Sequence, residues 1–541
     1  MICPTPRERS WPENVPVRGG RMRITPPVFT ILALAPFSPA LDLAAPPVLS
    51  VDSQSLDSAL AELSPTLDIP VDKGLCPDGS MAVTVKSMAG FRPGNLASGA
   101  PYLQELQAAK DHLAAGGAPA GLAMVCPRVA RIISIPAPQA ASQIASGASA
   151  KASALDDLLS LVDTGGGGGG DPIAPRAAGG LVQQLDAIHS RLLQAIFADR
   201  NFRRLEAAWR GAELLARQVP SGATTSVRLT LVPLPQGDSL PVFDQLETAL
   251  AGSPPDMALL DLPLANTPRD MAVLERAMDF AEALLAPLVV PIGSNFLGIA
   301  DWGELGSVRY IPGQLEGPEY ARWKTLAARP GAGWLAPCVG GVLARPLHRP
   351  EPGFAGQGFS EAEPLWASAA WGLSALCAKS VAVHGRPTRL DERGSVSLEQ
   401  MPLTDGPRPS PLEVPLGLER LADFKRAGIL PLAATPGRDQ VFAAGAVTMD
   451  GGPLKFRLFL SLLTGFLIRM SATRRGEIKD LETDLAQAIA LYIQSLGLPA
   501  PHDLSVAAHG EHDGGTPLDI SLTLAPEILS SGQRFSFGFS W

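Results

Sequence analysis

Long apolar runs, cysteine and charge are all scarce in this chain, and each scarcity removes a class of function. No stretch of about 18 or more apolar residues occurs, so the sequence offers no membrane span. The five cysteines, Cys3, Cys76, Cys126, Cys338 and Cys377, are scattered, odd in number and never spaced as CxxC. They fit small core residues in a reducing cytoplasm better than disulfides or a zinc site. Charged residues are only 18% of the chain, and 44 Lys and Arg against 53 Asp and Glu leave a net charge of −9. With no basic run interleaved with aromatics, a nucleic-acid binder is disfavoured. GxSxG, a Walker lysine and a cysteine beside a base are absent as well, which removes the familiar nucleophile and phosphate motifs.

What remains is a large, rather apolar globular chain. Its 541 residues allow two or three domains, and 46% are hydrophobic. The 54 glycines and 52 prolines are spread between periodic segments, which argues against wholesale disorder. Residues 1–21, rich in proline and arginine, read as a disordered tail. Arg18, Arg21 and Arg23 before the apolar run Val28–Ala35 mimic a secretory leader, but Pro26, Pro27, Pro36 and Pro39 interrupt it. A buried strand suits that run better. Residues 22–126 then alternate strands and helices: Val48–Asp52 and Leu67–Val71 as strands, Met81–Val85 as another, with helices at Ser55–Leu63 and Tyr102–Ala114. That order predicts a small α/β unit of about 100 residues.

Residues 127–180 read as a linker of alanine, serine, proline and six consecutive glycines, Gly165 to Gly170. No strand precedes that run, so it makes a poor phosphate loop. Within the linker, Leu155, Leu158, Leu159 and Val162 line one face of a short helix over 153–162, behind a Ser153 cap with Asp156 three residues on. A helix that short is marginal alone and suits a partner groove.

From Leu181 to Trp541 the pattern is that of a large α/β unit. Strands are expected at Val227–Val232, Met257–Leu260 and Leu288–Ile292. Helices are expected at Met271–Leu285, Pro364–Lys379, Glu419–Ala427, Leu454–Met470 and Lys479–Leu496. The end alternates: Ile520, Leu522 and Leu524, then Phe535, Phe537, Phe539 and Trp541, separated by small and polar residues. This predicts a hairpin with one apolar face, which needs further strands to be stable. His502, His509 and His512 with Asp503, Glu511 and Asp513 form the single metal-like cluster, in a polar loop where ligands do not converge.

The most specific stretch is 196–219. Read as one helix, Phe202, Leu205, Ala208, Trp209, Ala212 and Leu215 share a face, and Arg203, Arg204, Glu206, Arg210 and Glu213 fall mostly on the other, with Glu206 and Arg210 spaced as an i,i+4 pair. The wording F-x-x-L-E-A-A-W-R-G from Phe202, after L-D-A-I-H, resembles the opening of the large subunit of the type VI secretion contractile sheath. Phe296-Leu-Gly-Ile, Glu319-Tyr-Ala-Arg-Trp-Lys324, Gly341-Val-Leu-Ala-Arg-Pro346, Pro364-Leu-Trp to Ala370, and Pro415 to Pro431 resemble later parts of that family, in order. Residues 22–126 resemble the small sheath subunit through the opening strand, Val51-Asp52 and Ser87-Met-Ala-Gly-Phe-Arg-Pro93.

The resemblance implies a natural fusion of the two subunits: an α/β (mixed α+β) protein of two sheath-type domains, 22–126 and 181–541, whose terminal strands pair between copies. It implies a non-enzymatic, cytoplasmic protomer that polymerises around an inner tube protein of the Hcp type, meets a baseplate, contracts, and is recycled by a Clp-type AAA+ unfoldase gripping 153–162. It implies no cofactor, no nucleic acid and no membrane insertion. Inter-subunit β-augmentation falls to Ile520, Leu522, Leu524, Phe535, Phe537, Phe539 and Trp541, with Val28–Ala35 as a second candidate. The alternatives are a non-contractile scaffold or regulator derived from sheath proteins, and a cytoplasmic α/β enzyme.

Overall fold

The proline-bounded apolar run forms strand β1 (Phe29–Ala35), six of whose seven residues are buried. The structure, a computed structural model, describes residues 28–39, 46–133, 173–219, 226–235, 239–350, 358–390, 396–473, 481–509, 516–529 and 532–541. The expected tail 1–21 and the linker helix with Leu155, Leu158, Leu159 and Val162 lie outside these residues. After β1 come β2 (Leu49–Val51), β3 (Thr66–Pro70), β4 (Ser80–Thr84), β5 (Val227–Pro233), β6 (Met257–Leu260), β7 (Leu288–Pro291), β8 (Leu335–Val339), β9 (Val342–Arg345) and β10 (Leu365–Ala367). β11 (Leu430–Ala434), β12 (Val441–Ala443), β13 (Ser505–Ala508), β14 (Pro517–Thr523) and β15 (Arg534–Ser540) complete the set.

Contacts divide the chain into two compact units that cut across the boundaries expected from sequence. The larger takes residues up to Ala59, Leu205–Pro346 and Pro364–Trp541; the smaller takes Leu60–Arg204 and Leu347–Glu363. The division falls inside segment 22–126 because β1 and β2 join the large sheet.

That sheet has eight strands in the order β12-β11-β8-β7-β6-β1-β5-β2. β1 is central and parallel to both neighbours, with Phe29–Ala35 opposite Val227–Pro233 and Ile31–Leu34 opposite Met257–Leu260. β6, β7, β8 and β11 continue the parallel array, and antiparallel β2 and β12 close its edges. Parallel strands covered on both faces read as near-continuous apolar runs, which is why β6 (Met-Ala-Leu-Leu) and β7 (Leu-Val-Val-Pro) are buried at every position. Asp256 pins β1 to the start of β6: its carboxylate accepts from the Thr30 amide at 2.7 Å and the Thr30 hydroxyl at 2.9 Å. Burial raises the pKa of that carboxyl. Leu32, Leu34, Ala258, Leu260, Leu288 and Val290, alternate residues of three strands, meet helix Pro268–Ala283 in one apolar core. Helix Ala369–His384 packs across the strands as well, with twelve buried residues.

The smaller unit pairs β3 with β4 and packs helix Pro101–Ala114 on helix Ile173–Ala198. Lys110, 8% exposed, reaches across them to Asp186 at 2.5 Å and to His189 Nδ1 at 3.3 Å. Burial, then the Lys110 charge, lowers the His189 pKa to about 4, so the ring is neutral at physiological pH. No described helix is long and apolar enough to cross a membrane.

Three expectations need correction. The single helix over 196–219 is two helices, Ile173–Ala198 and Arg200–Arg217. Asp199 divides them, its Oδ1 accepting from the amides of Asn201 and Phe202, both at 2.9 Å. The helix expected from Pro364 starts only at Ala369, because Leu365–Ala367 is recruited as β10 against β9. The closing hairpin is a three-stranded sheet, β13-β14-β15, in which β13 supplies the extra pairing that a bare ribbon lacks.

Candidate functional site

Within the larger unit, Trp209, Gly211, Ala212, Leu215 and Ala216 on the second half of helix Arg200–Arg217 are buried. Trp209 is 0% exposed; its indole nitrogen donates to the Phe37 carbonyl at 3.2 Å and its ring meets the Phe37 ring edge-on at 5.0 Å. Phe37 meets Trp371 at 6.0 Å, and the Trp371 indole donates to Asp261 at 2.8 Å. A Cβ on Gly211 would overlap that indole, so the glycine after Trp209-Arg210 is set by the close approach of Trp371.

Glu206 corrects the two-faced reading of this helix. The spacing places it with the polar residues, yet it is 0% exposed. Arg345 of β9 grips it with two bonds, Nε to Oε1 at 2.6 Å and Nη2 to Oε2 at 2.8 Å. Arg210 reaches Glu206 only at 3.5 Å and turns its other arm to Glu213 at 3.0 Å, which Arg217 also holds at 2.6 Å. The ladder runs from the core to the surface, and it joins two motifs that sequence alone left separate: the helix and Gly341–Pro346. Leu205 is buried in the same unit.

Phe202 belongs to the smaller unit, where it meets Phe197 at 5.3 Å and Phe91 at 5.9 Å. Phe91 comes from the Ser87–Pro93 motif, so those two stretches are packing partners. Two other quoted motifs also converge. Phe296 lies 4.8 Å from Trp323 and 5.5 Å from Tyr320, whose hydroxyl donates to the Phe296 carbonyl at 2.8 Å.

The C-terminal sheet is built differently. β14 is its middle strand, and Leu518, Ile520 and Leu522 are buried, as is Leu524 just beyond. Opposite them stand Phe539, Phe537 and Phe535, each half-buried, and Trp541 follows β15. Phe535 meets Phe456 of helix Leu454–Thr473 at 5.0 Å. Arg457, the next residue, lies over the Trp334 ring at 5.1 Å. Among the described residues β15 pairs with β14 alone, so its outer edge carries no partner strand. Of its seven residues one is charged and none is proline, so little of the usual protection of an edge strand is present. The connection after β14 is clamped: Arg386 binds Glu527 through Nη2 at 2.7 Å and the Leu496 carbonyl through Nη1 at 3.0 Å.

Of the metal-like residues that are described, His509 and Asp503 are engaged in other contacts. His509 pairs with Asp519 at 2.7 Å, Asp503 accepts from the Thr523 hydroxyl at 2.6 Å, and 511–513 lie outside the described residues. No group of three or more His, Cys, Asp or Glu fit for a metal occurs among the described residues. Sequence reading missed Arg345 as the partner of Glu206, β13 as a strand, and Arg534 at the head of β15. For Arg345 and Glu206 the available signal was that both lie in stretches resembling one family.

Residues 29–120 match the family model described as type VI secretion system, VipA, VC_A0107 or Hcp2. Residues 244–450 match that of the EvpB/VC_A0108 (VipB) tail sheath N-terminal domain. The type VI secretion system sheath protein TssC1 of Pseudomonas aeruginosa is 22% identical over 302 residues, covering 50% of this chain and 61% of TssC1, so the chain spans less than two thirds of that relative. Among solved structures, a chain of the anti-feeding prophage (AFP) baseplate is 12% identical with a TM-score of 0.35, covering 62% of this chain and 76% of its own. A chain of the contracted AFP helical sheath is 14% identical with a TM-score of 0.31, covering 61% and 77%. On one polypeptide, the chain thus carries a segment similar to the VipA model ahead of a segment similar to the VipB tail sheath N-terminal domain model.

Proposed function

We propose that this chain is a structural protomer of a contractile type VI secretion sheath, polymerising around an inner tube of the Hcp type and shortening to propel it. The observation that carries the reading is β15, a strand with half-buried aromatics on one face and an outer edge open among the described residues. Such an edge accepts or donates a strand by β-augmentation: main-chain hydrogen bonds supply the link and alternate apolar side chains the grip. The two family segments give the same direction and favour a structural role over catalysis. On this reading a baseplate nucleates the polymer, and a Clp-type AAA+ unfoldase engages the 153–162 stripe of Leu155, Leu158, Leu159 and Val162.

Electron microscopy of the purified full chain tests it. Rings or tubules with a cogwheel cross-section are expected, and they are lost on deletion of residues 534–541. Compact particles from the intact chain, or tubules undiminished by the deletion, would refute the reading.

A further inference from the structure

The apolar alternation that defines β15 does not fix where it pairs. Phe535, Phe537, Phe539 and Trp541 repeat at every second residue, and the facing strand offers Leu518, Ile520 and Leu522, with Leu524 next in step. In the observed register Phe535, Phe537 and Phe539 face Leu522, Ile520 and Leu518. A slip of two residues keeps every side chain on its own face. It would set Phe535 against Leu524, Phe537 against Leu522, Phe539 against Ile520 and Trp541 against Leu518, bringing a fourth aromatic onto an apolar partner. Phe537 would then occupy the place of Phe535 beside Phe456. Apolar contact therefore does not select the register that is seen.

The polar face does. Arg534 stands opposite Thr523, and its guanidinium crosses the sheet. Nη2 donates to the Ser521 hydroxyl at 2.7 Å and the Ser505 hydroxyl at 2.9 Å, and Nε to Ser521 at 3.2 Å. The two hydroxyls lie 2.8 Å apart, on neighbouring strands. Asp503, 4.0 Å from Nε, is itself fixed by accepting from the Thr523 amide at 2.8 Å and hydroxyl at 2.6 Å. A two-residue slip carries Arg534 roughly 6–7 Å along the strand, away from the two serine hydroxyls that accept its three hydrogen bonds. Those acceptors belong to β13 and β14, so they read the arginine of whichever β15 lies alongside.

We infer that Arg534 is a positioning residue that sets the register of β15 on β13 and β14, within one chain and on a strand supplied by a neighbouring copy. The second half rests on the strand-sharing reading above; the first does not.

Cross-linking in the full chain tests both. Thr516 and Trp541 exchange both main-chain hydrogen bonds at 2.9 Å, so by alternation Asp519 and Gly538 form a close, non-hydrogen-bonded pair suited to a disulfide. Space around Gly538 admits a side chain, and the four described cysteines are buried. Asp519→Cys with Gly538→Cys reports the observed register; Asp519→Cys with Ser540→Cys reports the slipped one. With Arg534 present only the first pair should close. With Arg534→Ala the 519–540 disulfide should rise about tenfold, as expected for the loss of hydrogen bonds to a charged donor, and Arg534→Lys should fall between. A 519–538 disulfide still exclusive in Arg534→Ala overturns the inference. Mixing singly substituted chains, Asp519→Cys with Gly538→Cys, separates the two claims. Disulfides between copies are expected, and their absence removes strand sharing while leaving the register result within one chain to stand or fall alone.

Discussion

The helix that opens the sheath-like stretch and the sheet that closes the chain are opposites in construction. Around Trp209 the core-facing contacts are buried, paired and long-range: Glu206 binds Arg345, Trp209 binds Phe37, and Gly211 makes room for Trp371. Around β15 the aromatics are half-buried, one edge is open, and the polar contacts lie on the surface. The conspicuous motif therefore serves the protomer's own fold. The plain alternation of Phe, Ser and Gly is what remains available to another copy. On the proposed reading, recognisability and assembly are carried by different residues.

The largest expected effect lies in the buried cluster. Glu206→Ala removes the buried carboxylate that Arg345 grips with two bonds and should lower the unfolding free energy by roughly 3–5 kcal/mol, read from urea midpoints. A variant that stayed as stable as the parent and lost only polymer would break the contrast just drawn. Next in size is Glu413, whose amide donates to the Gly341 carbonyl at 2.8 Å beside β9. Burial pushes its carboxyl from 4.5 up to about 7. With the folded value above the unfolded one, its favourable contribution is present below the unfolded value and fades as pH rises through the folded one. Glu413→Gln should therefore flatten the stability loss across that window and gain roughly 1–3 kcal/mol at pH 8. An unchanged pH profile would place the titration elsewhere.

Smaller still is Phe537→Ser. Because the ring is half exposed, the protomer should lose only about 1 kcal/mol, whereas tubules seen by electron microscopy should disappear. Thermal unfolding together with negative staining separates the two effects, and intact tubules would sharpen the contrast against β15. The smallest effect is expected from cutting the chain between residues 134 and 172. β1 is held by two neighbouring strands, so the two pieces should still co-elute on a sizing column under native conditions. Separation without denaturant would show that the central place of β1 does not hold the pieces together.

Much of this architecture was legible where local pattern and burial agree. β1 between its prolines, β6 and β7 as short apolar runs, and the alternation of β14 and β15 all follow from period and composition. What escaped needed information from far along the chain. The break at Asp199 is local and could have been read from an Asp two residues before Asn201 as a helix cap. Glu206 could not, since an acidic residue among arginines scans as solvated until Arg345, far along the chain, is brought beside it. Leu365–Ala367 became a strand through pairing with β9, overriding the helical pattern that continues from Ala369. β13, with its weak Ser-Val-Ala-Ala sequence, owes its state to β14 beside it.

The central position of β1 also has a consequence on the ribosome. Phe29–Ala35 leaves the exit tunnel well before the strands that flank it, which end at Pro233 and Leu260. At ~5–20 residues per second, an apolar heptamer waits roughly 10–45 s for its lattice of backbone partners to be synthesised. A nascent chain so arranged calls for a holdase, and slowing translation after residue 60 should raise the fraction lost to inclusion bodies.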